Sequence, residues 1–160
     1  MATDEAYLEV LSRAECLQLL PTVPVGWIAY SHASRPRLVP VNFVVHRDEV
    51  MARTSYGSKL AAAAYELVMS FGVADTDPSS RTGWSVTVTG RARLIGDIDD
   101  LDLAGITLDP LEAWAPGDKD FYIGIRITEI SGRRITTPPA RQESRSTDVD
   151  PSSGSTRPTG

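Results

Sequence analysis

From Trp84 to Ala92 the chain reads Trp-Ser-Val-Thr-Val-Thr-Gly-Arg-Ala, an alternation of apolar and polar side chains almost without error. Only an extended strand places Val86 and Val88 on one side and Thr87 and Thr89 on the other, so the segment reads as a half-buried β-strand. A sheet with one solvated face is characteristically antiparallel, which directs the rest of the reading towards hairpins and meanders.

The flanking sequence supplies them. Val25 to Ser31 is an aromatic and aliphatic strand, and His32-Ala33-Ser34-Arg35-Pro36 is a turn. Arg37 to His46 is a second strand, Arg47-Asp48-Glu49 a tight connection, and Val50 to Thr54 a third strand. Leu67 to Ala74 returns to strand, Asp75 to Gly83 is a polar loop, and Phe121 to Ile130 is a long β-rich run that Gly132 turns into Arg133-Arg134-Ile135. Helices are short. Ser12-Arg13-Ala14-Glu15 has the form of a capping box ahead of a helix through Leu20, ended by Pro21 and Pro24. Lys59 to Glu66 is rich in helix formers, and Asp97 to Trp114 is an acidic helical region. About six strands with local connections and peripheral helices indicate a mainly β, α+β domain built on a small antiparallel barrel, although periodicity alone does not separate a barrel from a sandwich.

Residues 1–136 form one domain on this reading. From Thr137 to Gly160, 15 of 24 residues are Ser, Thr, Pro or Gly and Val149 is the only large aliphatic side chain, so this tail is expected to be disordered. A formal charge of −5 and 7% aromatic residues argue against a nucleic-acid-binding groove. The single Cys16 rules out an intramolecular disulfide framework and a cysteine-rich metal site, and reads as a core residue. No apolar run reaches the ~20 residues of a membrane span, and the acidic N-terminal segment is no signal peptide. A cytoplasmic protein is the expectation.

Three segments hold chemistry. In Met51-Ala52-Arg53-Thr54-Ser55-Tyr56-Gly57-Ser58-Lys59-Leu60 a strand delivers Arg53 and Thr54 to its end, Gly57 bends the chain, and Ser58 and Lys59 open a helix. Two cations, several hydroxyls and helix-terminal amides suit a phosphate dianion, while the alternative is an ordinary capped helix with a solvated Lys59. In Pro40-Val41-Asn42-Phe43 the proline interrupts a strand, so nearby backbone groups can face a ligand. Asn42 can then bond a heteroaromatic edge with Phe43 beside it. The alternative there is an edge strand with a buried Phe43. Trp84 and Ser85 offer a flat apolar surface and a hydroxyl at a strand entrance, or simply a barrel plug. His32 and His46 read as solvated turn residues, and no metal-ligand spacing, nucleophile elbow or acid–base pair is present. Catalysis, if any, then belongs to a bound cofactor.

Taken together, PVNF, RTSYGSKL, GWSVTVTGRA, AWAPG and ISGRRI resemble the pyridoxamine 5′-phosphate oxidase-like proteins, over roughly Leu11 to Ile135 and in their small actinobacterial-type branch. The resemblance implies a six-stranded split β-barrel, a homodimer of side-by-side barrels, and FMN in a groove at their interface. It implies that Val41, Asn42 and Phe43 line the isoalloxazine, and that Arg53, Thr54, Ser58 and Lys59 hold the ribityl phosphate. Trp84 and Ser85 then approach from the partner subunit, and Arg134 closes the site. Gly132-Arg133-Arg134-Ile135 lacks the arginine–histidine signature of the vitamin B6 oxidases, and Thr54 and Ser55 stand near where nitroimidazole-resistance relatives carry a histidine. The expectation is therefore an FMN-dependent oxidoreductase acting on some other small molecule. A deazaflavin-coenzyme reductase and a non-catalytic flavin- or haem-binding module are the alternatives.

Overall fold

The computed structural model describes residues 7–54, 62–95 and 121–137. The strands are β1 (Tyr7–Leu11), β2 (Val25–His32), β3 (Arg35–His46), β4 (Glu49–Thr54), β5 (Val68–Asp77), β6 (Thr82–Ile95), β7 (Phe121–Arg126) and β8 (Glu129–Thr136). A short helix, α1 (Arg13–Leu19), continues into a 3-10 turn over Leu20–Thr22. All pairings are antiparallel, in the order β1-β8-β6-β5-β2-β3-β4-β7, and β6 pairs again with β7. That last pairing closes β2, β3, β4, β7, β6 and β5 into a ring, the expected six-stranded barrel, with β8 and β1 continuing the sheet outside it. Closure removes most of the sheet edges at which chains aggregate.

β6 makes the closure possible. Its first half pairs with β8 from Gly83↔Ile135 to Thr89↔Glu129, and its end pairs with β7 from Ala92↔Ile125 to Ile95↔Tyr122. Gly90 stands at the change of partner, where a Cβ would collide with the carbonyl oxygen of Arg126. Ile127 N donates to Asp48 O at 2.8 Å and Thr128 N to Thr89 O at 3.1 Å, which fixes the break between β7 and β8. The turn expected at Gly132 is therefore absent. Gly132 lies inside β8, and a Cβ there would sit 2.7 Å from Cys16 Sγ and 2.9 Å from Leu11 Cδ1, so the missing side chain lets α1 and β1 close on the sheet.

The capping box is made as expected: Glu15 N donates to Ser12 Oγ at 3.3 Å and Ser12 N to Glu15 Oε2 at 2.8 Å. The loop expected from Asp75 to Gly83 shrinks to residues 78–81, because β5 and β6 extend as a solvated ribbon to Asp77↔Thr82. Asp77 holds the turn, accepting from Ser79 N at 2.9 Å and Ser80 Oγ at 2.7 Å, which also keeps its carboxyl below the ordinary range. The core is Ile28, Phe43, Val50, Phe71, Val86, Val88, Ile123 and Ile125 with their neighbours, all but closed to solvent. Cys16 belongs to it, and burial pushes its thiol up. His46 departs from the solvated turn residue expected, because its Nε2 is buried without a hydrogen-bond partner at the β3–β4 hairpin.

Of the Lys59–Glu66 helix, residues 62–64 are helical, and the chain then turns through Tyr65 and Glu66. Ser58, Lys59, the Asp97–Trp114 region and the tail beyond Thr137 lie outside the described residues. Among the described residues no helix is long and apolar enough to cross a membrane.

Candidate functional site

The ladder between β3 and β4 runs from His46↔Glu49 to Phe43↔Ala52 and stops. Asn42 and Arg53 are the next residues on the two strands, so the parting of the ladder brings these sequence-predicted residues to one mouth. β3 continues beyond it, paired with β2 alone among the described residues from Asn42↔Val25 to Arg35↔His32. Among the described residues its other edge is unpaired, as Pro40 foreshadowed, and such an edge can offer backbone donors and acceptors to a ligand.

Side-chain direction divides the predicted set. Val41 and Phe43 face the core, each 5% exposed, and Phe43 packs edge-on against Phe71 with ring centroids 4.6 Å apart. From these two positions only backbone can line a ligand. Asn42 alternates to the outer face, where its Nδ2 donates to Pro24 O at 3.3 Å. Arg53 is half-buried beside Tyr122 in register, and Thr54 ends β4 opposite Phe121. A donor amide and a guanidinium at the end of an open edge suit the polar and anionic parts of a nucleotide.

The other predicted residues lie elsewhere on the chain. Ser85 is exposed on β6, opposite Ala74 and Arg133. Trp84 is half-buried against the core, with Arg134 its register neighbour on β8. Arg134 is held by two carboxylates, Glu9 at 3.3 Å and Glu15 at 3.7 Å. β6 and β3 stand opposite each other in the ring, with β5 and β2 between them on one side and β7 and β4 on the other. Among the described residues β7 meets β6 only over residues 92–95, well along the strand from Trp84 and Ser85. A single chain therefore keeps Trp84 and Ser85 apart from the Asn42–Arg53 mouth.

Between those groups the sheet's outer face carries a feature not singled out from sequence. Thr87, Gly72, Trp27 and Pro40 form one cross-strand row, and Thr89, Ser70, Ala29 and Leu38 form the next, with no charged side chain in either. Trp27 is 47% exposed and Leu38 62%. A Cβ on Gly72 would meet nothing nearer than Val86 O at 3.9 Å, so the chain's own packing does not require that bare position. Strand parity was the available signal: Ile28 and Tyr30 inside put Trp27 outside.

Comparison with known proteins agrees with this architecture. A sequence profile described as pyridoxamine 5′-phosphate oxidase matches residues 12–134. The uncharacterized protein Rv0080 of Mycobacterium tuberculosis is 32% identical over 130 residues, covering 78% of this chain and 84% of its own. The structure of a FAD-binding protein from Mycobacterium smegmatis superposes with a TM-score of 0.62 at 34% identity, covering 78% of this chain and 96% of that one. A FAD-binding protein from Mesorhizobium loti has a TM-score of 0.67 at 24% identity, covering 82% and 99%, a likeness of fold alone. On the profile match, which spans most of the chain, this chain belongs to the pyridoxamine 5′-phosphate oxidase family.

Proposed function

We propose that the protein is a flavoprotein that holds FMN between two copies of the chain and serves as an oxidoreductase for a small molecule. The observation that carries the reading is the 34% identity, across 78% of this chain and 96% of the other, to a protein described as FAD-binding. The mouth beside Asn42 and Arg53 supports it, since its residue types fit a flavin: an open backbone edge for the ring and a cation for the anionic end. In this reading the backbone of Val41 and Phe43 and the amide of Asn42 orient the ring. Arg53, Thr54, Ser58 and Lys59 hold the phosphate. Trp84 and Ser85 come from the second copy, with Arg134 behind them.

The uncharged rows around Trp27 support pairing of two copies. A chain with a formal charge of −5 meets its own twin with least repulsion through rows that carry no charge across β6, β5, β2 and β3. The bound flavin supplies hydride or electron transfer; the chain supplies orientation, donors and exclusion of water. A single buried cysteine is compatible with the reducing cytoplasm, the compartment we infer.

The test is parallel titration of the purified chain with FMN, FAD, a deazaflavin coenzyme and haem, followed by reduction with a nicotinamide donor. FMN bound most tightly, reduced, and reoxidised by added acceptors is the result expected. Tighter FAD or deazaflavin binding would reassign the cofactor. Reduction without acceptor-dependent turnover would reassign the protein as a carrier, and no binding of any of the four would overturn the reading.

A further inference from the structure

We propose a second small-molecule site, for an amphipathic organic anion, in the cleft where β2 and β5 part. Their ladder holds only from Trp27↔Gly72 to Ala29↔Ser70. Beyond it β2 stays with β3 as far as His32↔Arg35, while β5 stays with β6 back to Val68↔Arg91. The two pairs diverge and leave a cleft of about 440 Å³, within the ordinary range of ligand pockets.

Its walls are chemically two-sided. Leu67 and Val68, 41% and 59% exposed, supply apolar surface beside the Tyr30 ring. Ser31 adds a hydroxyl, and Arg37, directly opposite Tyr30 in the β2–β3 ladder, adds a guanidinium. Arg37 forms no salt bridge among the described residues. Among the described residues no carboxylate lines the cleft, although the chain has 21 acidic residues, and residues 16–47 contain none. Glu66 precedes Leu67 but does not line it. A cation without a carboxylate partner among the described residues, beside exposed aliphatic surface, selects a ligand with an anionic head and an apolar body, such as an aryl or short-chain carboxylate.

The cleft is distinct from the flavin mouth. Arg37 and Asn42 are five residues apart on β3, about 17 Å at ~3.4 Å per residue. Ala29 and Ser70 of the cleft wall also belong to the row proposed to face the second copy, so the cleft borders that pairing surface and the titration is read beside a check of oligomeric state.

The experiment is backbone-amide NMR of the full chain titrated with phenylacetate, phenylacetamide and inorganic phosphate. Saturable shifts at Ser31, Arg37 and Val68 with phenylacetate alone are expected, with Arg37→Gln weakening them about ten- to a hundredfold and leaving flavin binding unchanged. Equal response to phenylacetamide would mean that the cation recognises nothing. Equal response to phosphate would mean that the apolar wall is idle. Either result, or no saturable shift, overturns the proposal. If Arg37→Gln fails to fold, the acid-against-amide comparison on the wild-type chain decides alone.

Discussion

Glu49 on β4 and Arg93 on β6 meet across the strand that separates them. Arg93 Nε and Nη2 donate to Glu49 Oε1 and Oε2 at 2.7 Å each, and the pair passes over Gly124 of β7, the register partner of both Met51 and Arg93. The hydrogen bonds to Glu49 raise the guanidinium's pKa. This bridge spans the seam at which the barrel closes, and it exists because residue 124 has no side chain: a Cβ there would collide with Glu49 Oε1.

Gly124→Ala is therefore expected to displace the Glu49 carboxylate from Arg93 and to destabilise the fold by about 1 kcal/mol, the low end of overpacking because only side-chain ends must move. Glu49→Ala in the same chain should recover part of that loss. Urea unfolding of the two single variants and the double variant measures the coupling, and strict additivity would mean that the pair does not occupy the space above Gly124.

The barrel was legible where periodicity and local chemistry coincide. The Trp84–Ala92 alternation lies within β6, the β2–β3–β4 meander stands close to its expected bounds, and the Ser12–Glu15 capping box is formed. β1 escaped notice because Tyr7–Leu11 is short and largely exposed, and its place depends on pairing with β8 and on the Glu9–Arg134 contact, both distant in sequence. Gly132 looked like a turn, yet its role is close packing against Cys16, which no local pattern reveals. At the site, residue types and strand order were readable. Strand parity already pointed Trp27 outward, whereas its cross-strand neighbours Gly72 and Pro40, and the packing of Phe43 on Phe71, emerged only with the register.

Acid should weaken the α1 cap. Glu15 is held below its ordinary value of 4.5 chiefly by the hydrogen bond from the Ser12 backbone, then by the Ser12 hydroxyl. A depressed folded-state pKa contributes stability that is whole above the unfolded value and lost as pH falls through the folded one. The stability difference between wild type and Glu15→Gln should thus stay constant above about pH 5 and shrink on further acidification, as read by urea unfolding at stepped pH. A difference independent of pH would contradict the cap geometry.

Trp27→Glu places a charge in the uncharged rows without disturbing the core, since Trp27 points outward. The expected outcome is a folded monomer by light scattering, with circular dichroism unchanged and flavin binding lost along with the partner's Trp84 and Ser85. A variant that remains dimeric would move the pairing surface elsewhere.

Lys59→Ala and Arg53→Ala should each weaken FMN binding by about 1.5–3 kcal/mol, the scale of a charge-assisted hydrogen bond. Fluorescence titration of FMN measures the change, and thermal melting checks the fold. Unchanged affinity in both would remove the phosphate from this end of β4.

Sedimentation of the flavin-loaded protein, followed at the flavin's visible absorbance, tests the central claim most directly. The account predicts colour travelling with a species of twice the 17.3 kDa chain mass. Colour left in the buffer, or carried by a single chain, would contradict it.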